Sequence, residues 1–143
     1  MTRWARGKYQ IINADKYVGR RLPTYRSGWE HSFMRFCDTN DHVLQWASEP
    51  VNIPYRHPLT GRMTHYVPDF IITYRNRDNT VRAELIEIKP KGQSVIESKM
   101  KSRERAVVAV NYCKWDAATK WARRNGLVFR VITESDMFHT GSK

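Results

Sequence analysis

Residues 63–89 read MTHYVPDFIITYRNRDNTVRAELIEIK, and this stretch decides the fold. Two runs rich in β-branched and aromatic residues, 63–74 and 81–89, flank the turn-forming segment 75–79. The pattern predicts two long strands joined by a turn, and Pro90 is expected to end the second strand. We therefore expect an antiparallel hairpin.

Helical and strand-like segments surround this hairpin in the sequence. Each is recognised by the spacing of its apolar residues: a helix at 27–38, short strands at 43–46 and 51–55, helical segments within 94–125, and a strand at 127–133. The region 94–125 is expected to form two helical pieces, with Gly126 just past the last one. This order predicts an α/β fold in which a mixed β-sheet, containing an antiparallel meander, is flanked by helices.

The register of the hairpin brings two carboxylates together. If the turn centres on Asp78, the paired residues lie equally far from it along the chain, so Asp69 lies opposite Glu87. Side chains alternate between the two faces of a strand, so Lys89 points to the same side as Glu87. Directly opposed residues have β-carbons about 5 Å apart. The sequence therefore predicts an Asp69–Glu87–Lys89 cluster on one face of the sheet.

Opposed carboxylates suit a divalent cation, which removes the repulsion between them. Mg²⁺ prefers hard oxygen ligands and keeps several waters, so it fits two carboxylates better than a softer metal would. Lys89 beside such a cation would polarise an attacking water or bind a phosphate oxygen. The alternative is a surface salt bridge between Glu87 and Lys89. The apolar same-face neighbours Ile71 and Leu85 argue instead for a covered face.

Glu30 is the candidate for a third acidic group. The helix at 27–38 is the expected cover of the acidic face, and Glu30 could project from it towards the carboxylates. The alternative is purely local, because Ser27 and Glu30 also match a capping box, in which Glu30 would only cap the helix. The local pattern alone does not decide between these two interpretations.

Composition indicates a soluble intracellular protein with an anionic partner. The chain carries 25 Lys plus Arg against 14 Asp plus Glu, a formal net charge of +11. Such an excess attracts polyanions, so we expect a nucleic-acid partner and no membrane association. No apolar run is long enough to span a bilayer, no signal peptide is evident, and Cys37 and Cys113 are expected to be unpaired thiols. The oligomeric state is left open.

The chain is expected to contain one folded domain preceded by a basic arm. Residues 1–23 are rich in Lys and Arg and have little periodicity, which is typical of an arm that wraps the domain or reaches for phosphate. Residues 24–143 are expected to form a single folded domain, whose size is ordinary for one hydrophobic core.

The motifs resemble those of a known family. Val67-Pro68-Asp69-Phe70 followed by Glu87-Ile88-Lys89 resembles the PD-(D/E)xK signature of restriction-endonuclease-like nucleases. The wider pattern is similar to the TnsA-like endonuclease fold, and includes Tyr25-Arg26-Ser27-x-Trp29-Glu30, Ile53-Pro54-Tyr55, Ile86-Glu87-Ile88-Lys89-Pro90 and a terminal Phe129–Glu134 segment. Within that fold, the chain most resembles the head-completion nucleases of tailed bacteriophages.

This resemblance implies both an activity and a set of site residues. The implied catalytic residues are Glu30, Asp69, Glu87 and Lys89, and the implied metal ligands are Asp69, Glu87, Glu30 and the backbone carbonyl of Ile88. The implied cofactor is Mg²⁺, with Mn²⁺ as a substitute. The implied substrate is DNA, cut in the host cytoplasm during assembly or in the virion, and capsid, portal or neck proteins are the implied partners.

Basic side chains near the site are candidates for DNA contacts. We expect Arg26, Lys91, Lys99 and Arg103 to neutralise flanking phosphates, although the basic residues around Arg103 also fit a solvated helix face. Two other functions are left open by the sequence. One is a structural DNA-binding protein of the virion with little activity alone, and the other is an RNA-processing nuclease.

Overall fold

The computed structural model describes residues 6–89 and 101–133. In chain order the strands and helices of these residues are β1 (Gly7–Lys8), β2 (Thr24–Tyr25), α1 (Gly28–Thr39), β3 (Val43–Ser48), β4 (Ile53–Arg56), β5 (Met63–Tyr66), β6 (Phe70–Arg75), β7 (Val81–Ile88), α2 (Ser102–Arg124) and β8 (Val128–Ile132). A short 3₁₀ turn, Ala14–Lys16, lies between β1 and β2.

The central sheet has four strands in the order β3-β6-β7-β8. β3, β6 and β7 are antiparallel neighbours, whereas β8 runs parallel to β7 after the crossover through α2. Two small ribbons, β1-β2 and β4-β5, stand beside this sheet. The predicted α/β architecture, a mixed sheet with an antiparallel meander flanked by helices, is confirmed.

The hairpin register agrees with the sequence prediction. Phe70 pairs with Ile86, and the pairing continues to Arg75 and Val81 at the turn. One further step in the same register places Asp69 opposite Glu87. The long run at 63–74 is nevertheless not one strand, because β5 ends before Pro68 and pairs with β4 instead of β7. Proline lacks the N–H that would continue the hydrogen bonds between strands, so the strand is interrupted directly before Asp69.

A helix covers each face of the sheet. α1 packs against one face through Phe33, Met34 and Cys37, which meet Phe70 and Ile86. α2 packs against the other face, where Ala118 and Trp121 meet Leu85 and Ile71. The acidic residues lie on the face of Leu85 and Ile71, which α2 covers. The prediction that the helix at 27–38 covers the acidic face was therefore wrong. α2 lies over that face because the alternate residues Phe70 and Ile86 direct α1 to the opposite side.

The region 94–125 was predicted as two helical pieces. The described part is a single helix, Ser102–Arg124, and the residues before 101 lie outside the described part of the chain. Gly126 follows with a φ of 74°, a left-handed conformation that glycine adopts without strain, as expected for the end of a helix. No helix in residues 6–89 and 101–133 is both long enough and apolar enough to cross a bilayer.

Residues 6–23 pack against the domain, and residues 9–16 of this segment are held by one buried aspartate. Asp38, at the end of α1, has no exposed surface. Its carboxylate accepts hydrogen bonds from the Tyr9 hydroxyl at 2.7 Å, from the Ile12 N–H at 2.8 Å and from the Asn13 N–H at 2.9 Å. Lys16 Nζ donates to the carbonyl of the same aspartate at 3.1 Å. Both cysteines are free thiols; Cys37 is fully buried, whereas Cys113, which was also expected to be buried, is only half-buried.

Candidate active site

The open end of the β6-β7 hairpin holds two carboxylates from opposite strands. Asp69 directly precedes β6, and its Oδ2 accepts a hydrogen bond from the backbone N–H of Ile88 at 2.7 Å. This bond anchors the Asp69 side chain beside β7, next to Glu87. Glu87 is buried on β7, with only 4% of its surface exposed. The Asp69–Glu87 pair predicted from the hairpin register is therefore formed.

The electrostatics of the pair are unfavourable without a cation. Burial, followed by the negative charges of Glu87 and Glu30, raises the pKa of Asp69 well above its ordinary value. The Ile88 N–H and Lys89 lower the pKa of Asp69, but they do not cancel that increase. Ionised carboxylates held this close destabilise each other, which is the usual electrostatic state of a cation site or an acid–base pair without its ligand.

Lys89 and Tyr66 bind the two oxygens of Glu87. Lys89 Nζ lies 3.3 Å from Glu87 Oε2, as the shared-face prediction requires. The Tyr66 hydroxyl donates a hydrogen bond to Glu87 Oε1 at 2.8 Å. The orientation of the Glu87 carboxylate is therefore set by two groups, one on its own strand and one at the end of β5.

Glu30 serves as a helix cap and also lies within electrostatic range of the acidic pair. Its backbone N–H donates to Ser27 Oγ at 3.1 Å, and its carboxylate Oε1 accepts from the Arg26 N–H at 3.2 Å. Burial raises the pKa of Glu30, and the charge of Glu87 raises it further, so its carboxylate lies within electrostatic range of the acidic pair. The two interpretations of Glu30 are thus compatible.

The donor set fits a hard divalent cation held by few protein ligands. Among residues 6–89 and 101–133, no three His, Cys, Asp or Glu side chains are grouped so as to hold a metal ion. Asp69 and Glu87 are therefore a pair of carboxylates that could hold a metal ion, with Glu30 in electrostatic range of the pair. Mg²⁺ often binds through one or two carboxylates and completes its shell with waters and phosphate oxygens, so two carboxylates with unrelieved repulsion suit it.

The predicted DNA contacts have mixed outcomes. Arg26 pairs with Glu49 in this structure, and this ion pair raises the pKa of Arg26. Arg103 is exposed in the first turn of α2. Lys91 and Lys99 lie outside the described residues. The role of each of these side chains in DNA binding stays a prediction.

Tyr66, Lys114 and Glu49 belong to this neighbourhood and were not predicted as site residues. Lys114, on α2, lies over the Tyr66 ring with Nζ 5.7 Å from the ring centroid. Burial, then the neighbouring charge of Lys89, lowers the pKa of Lys114. The Glu49 N–H donates to the Asp69 carbonyl at 2.8 Å, and Glu49 adopts a φ of 48°. That positive φ is a strained conformation for a non-glycine residue.

Glu84, a second buried glutamate on β7, provides a comparison for Glu87. Glu84 accepts a hydrogen bond from the Tyr74 hydroxyl at 2.8 Å and lies 3.3 Å from Arg130. Glu87 has equivalent partners at the same distances, a tyrosine hydroxyl and a cation. The difference is that Glu87 also faces Asp69, on the other side of the sheet. The opposed carboxylate thus distinguishes the candidate site from a buried ion pair.

The chain is similar to known nucleases. Residues 40–134 match the family described as TnsA-like endonuclease N terminal, and this range includes Asp69, Glu87 and Lys89. The chain is also 32% identical to the head completion nuclease of Enterobacteria phage T4, over 96% of each chain. No solved structure matches it. The chain therefore belongs to the TnsA-like endonuclease family, within the restriction-endonuclease-like PD-(D/E)xK nucleases, and is a relative of phage head completion nucleases.

Proposed function

We propose that this protein is a Mg²⁺-dependent endonuclease that hydrolyses phosphodiester bonds of DNA during completion of a phage head. The observation that carries the proposal is the buried, mutually repelling pair of Asp69 and Glu87, with Lys89 held 3.3 Å from Glu87. The similarity to the T4 head completion nuclease over nearly the whole chain supports the biological setting. The net charge of +11 supports a polyanionic substrate.

The acidic groups would hold the cation and the lysine would act on the nucleophile. Asp69, Glu87 and the Ile88 carbonyl would bind Mg²⁺ directly, and Glu30 would bind it through a water. When bound, Mg²⁺ lowers the pKa of a water and stabilises negative charge on the phosphate. Lys89 is fixed by its contact with Glu87, so its ammonium is positioned to orient the attacking water towards the phosphorus.

Lys114 would supply a second positive charge. It is half-buried on α2 beside Tyr66, and the positive charge of Lys89 acts on its ammonium. A phosphate bound between the two lysines would relieve their repulsion and be held by both. This placement favours Lys114 as a ligand of the non-bridging phosphate oxygens, which gain negative charge as the water attacks.

Plasmid cleavage tests the proposed function. The full chain is incubated with supercoiled plasmid and with linear duplex, in Mg²⁺, in Mn²⁺ and in EDTA. We expect nicked or linear products with either metal and none in EDTA. Cleavage that persists in EDTA would contradict metal dependence. Preferential cleavage of a matched RNA duplex would favour the RNA-processing alternative.

Tyr66→Phe is expected to lower cleavage by about 10-fold to 100-fold, because groups that orient a metal-binding residue typically contribute this much. Loss of the hydroxyl leaves Glu87 Oε1 without its 2.8 Å donor and frees the carboxylate to rotate. The control is Tyr74→Phe, which removes the equivalent 2.8 Å bond from Glu84. Cleavage rates measured against Mg²⁺ concentration should show a higher Mg²⁺ requirement for Tyr66→Phe only. Equal losses in both variants would contradict a positioning role.

Asp69→Asn is expected to raise the melting temperature of the metal-free protein while abolishing cleavage. The pKa of Asp69 is raised in the folded state, so its contribution to stability falls as the pH rises from the unfolded-state pKa, near 3.9, through the folded-state pKa. At neutral pH the unfolded chain has an ionised Asp69, and folding must either bury that charge or protonate it. Asparagine removes this cost. Each kcal/mol gained corresponds to about 4 °C for a domain of this size.

Calorimetry of both proteins, with and without Mg²⁺, checks this expectation. Mg²⁺ should stabilise the wild type, and more at pH 8 than at pH 5.5, because protons compete with the cation for the carboxylates. Asp69→Asn should not respond to Mg²⁺. A lower melting temperature for the metal-free variant would mean that Asp69 serves stability and not a cation.

A further inference from the structure

A groove lined by basic side chains runs along the sheet beside the acidic pair. Its main part has a volume of about 540 Å³, and its lining includes Arg20, Arg21, Glu49, Val67 and Ile71. The N–H of Glu49 donates to the Asp69 carbonyl at 2.8 Å. The groove therefore lies next to the backbone of Asp69.

A second cavity extends this groove. It has a volume of about 370 Å³, contains Lys8 and Arg26, and shares Arg21, Ser48 and Glu49 with the first cavity. The two cavities together are lined by four cationic side chains, Lys8, Arg20, Arg21 and Arg26, and by one carboxylate, that of Glu49. Because Glu49 pairs with Arg26, the remaining three cations give the groove a net positive charge.

The wall that carries Arg20 and Arg21 is fixed in place by its backbone. Tyr17 forms a parallel bridge with Trp46 of β3, and the Val18 N–H donates to the Trp46 carbonyl at 2.9 Å. The Tyr17 hydroxyl donates to the Arg21 carbonyl at 2.6 Å and closes the turn between them. A side chain at Gly19 would collide with the Tyr17 ring, so this tight turn requires glycine. The two arginines therefore project from an ordered edge of the fold.

We propose that Arg20 and Arg21, with Lys8, form a track that binds the phosphodiester backbone of duplex DNA flanking the scissile phosphate. The inference rests on the proposed function, because the track would position DNA for cleavage at the proposed active site. Two exposed guanidinium groups next to each other match successive phosphates of one strand, and guanidinium binds phosphate through paired hydrogen bonds. Val67 and Ile71, which also line the groove, are apolar. The positive charge that would attract the DNA strand therefore comes from Arg20, Arg21 and Lys8.

Binding measured in a cleavage-deficient protein tests the track separately from catalysis. In a Glu87→Gln background, Arg20→Ala/Arg21→Ala is compared with Arg77→Ala/Arg82→Ala, which removes the same charge at the turn end of the hairpin. Fluorescence anisotropy with a labelled duplex follows the affinity between 50 and 200 mM salt. We expect the track variant to bind about 10-fold more weakly, and the slope of log K against log salt to fall by about 1.8 in magnitude, for two lost phosphate contacts. The control variant should change affinity less than about threefold.

Photocrosslinking gives a second measurement that leaves the arginines in place. A photoreactive benzophenone side chain is placed at Val18, which lies in the groove and is 52% exposed, or at Val81, which lies by the hairpin turn and is 51% exposed. DNA should crosslink at position 18 and not at position 81. Equal loss of affinity in the two arginine variants, or equal crosslinking at the two valines, would overturn the track. DNA binding along the track without cleavage by the wild type would overturn the proposed function alone.

Discussion

Replacement of Glu87 by glutamine is expected to lower the rate of DNA cleavage by at least about 10³-fold, a loss of roughly 4 kcal/mol of transition-state stabilisation. Glutamine keeps the shape of the side chain and still accepts a hydrogen bond from the Tyr66 hydroxyl. It removes the negative charge that, with that of Asp69, would hold the proposed cation. It also removes the ion pair that holds Lys89 at 3.3 Å. Cation binding and nucleophile positioning are therefore lost together.

Glu84→Gln provides a matched control on the same strand. Glu84 is as buried as Glu87, with 6% and 4% of their surfaces exposed, and each accepts a tyrosine hydrogen bond at 2.8 Å. Glu84 lies on the α1 face of the sheet, away from Asp69. Glu84→Gln should therefore retain cleavage within about threefold of the wild type. A general effect of losing a buried charge on β7 would lower the activity of both variants equally.

Single-turnover cleavage of a labelled duplex at saturating Mg²⁺ is the measurement. Melting temperatures recorded beside it identify any unfolded protein. Retention of wild-type cleavage by folded Glu87→Gln would contradict the assignment of the site. Loss of cleavage in folded Glu84→Gln would show that the α1 face also contributes to the reaction, and that the opposed carboxylate is not what distinguishes Glu87.

The second large effect concerns stability. Asp38→Asn is expected to lower the free energy of unfolding by about 2–4 kcal/mol, because it leaves buried donors without acceptors. The wild-type carboxylate accepts three hydrogen bonds, from Tyr9, Ile12 and Asn13. An asparagine side chain has one oxygen, and its amide group would face an N–H donor. The resulting loss would loosen residues 6–16 from α1.

The pH dependence of this loss follows from the pKa of Asp38. Burial alone would raise that pKa, but the hydrogen bonds from Ile12, Tyr9 and Asn13 lower it below its ordinary value. A lowered pKa in the folded state contributes stability above the unfolded-state pKa, near 3.9, and that stability is lost as the pH falls through the folded-state pKa. The difference in the free energy of unfolding between the wild type and Asp38→Asn should therefore be largest at pH 7 and should shrink below about pH 4.

Urea unfolding at pH 7 and pH 3 measures the effect. Asp41→Asn is the matched control, because Asp41 lies three residues further along and is exposed. That variant should change the free energy of unfolding by less than about 0.5 kcal/mol, as is usual for an exposed site. A loss in Asp38→Asn that is equally large at both pH values would show that the carboxylate charge is not the cause.

Local chemistry explains why the hairpin could be predicted from the sequence. The turn residues 75–79 set the register, and alternation along each strand sets the faces, so Asp69, Glu87 and Lys89 were placed together without knowledge of distant contacts. The β6-β7 pairing confirms that register. Pro68 lies between β5 and β6, directly before Asp69, where the chain leaves the pairing with β4 and joins β7.

The sequence by itself determined the α/β class, the hairpin register and the cluster of Asp69, Glu87 and Lys89, because these depend on residues close together in the chain. Only the tertiary structure decided which helix covers the acidic face. Both faces of the sheet are apolar, so the spacing of apolar residues in the sequence allows either helix to pack on either face. The tertiary structure also decided that Tyr66, from β5, contacts Glu87 and that Lys114, from α2, lies over the Tyr66 ring. The packing of residues 9–16 likewise depends on Asp38, which lies 22 to 29 residues further along the chain from its partners, and no local periodicity encodes such a contact.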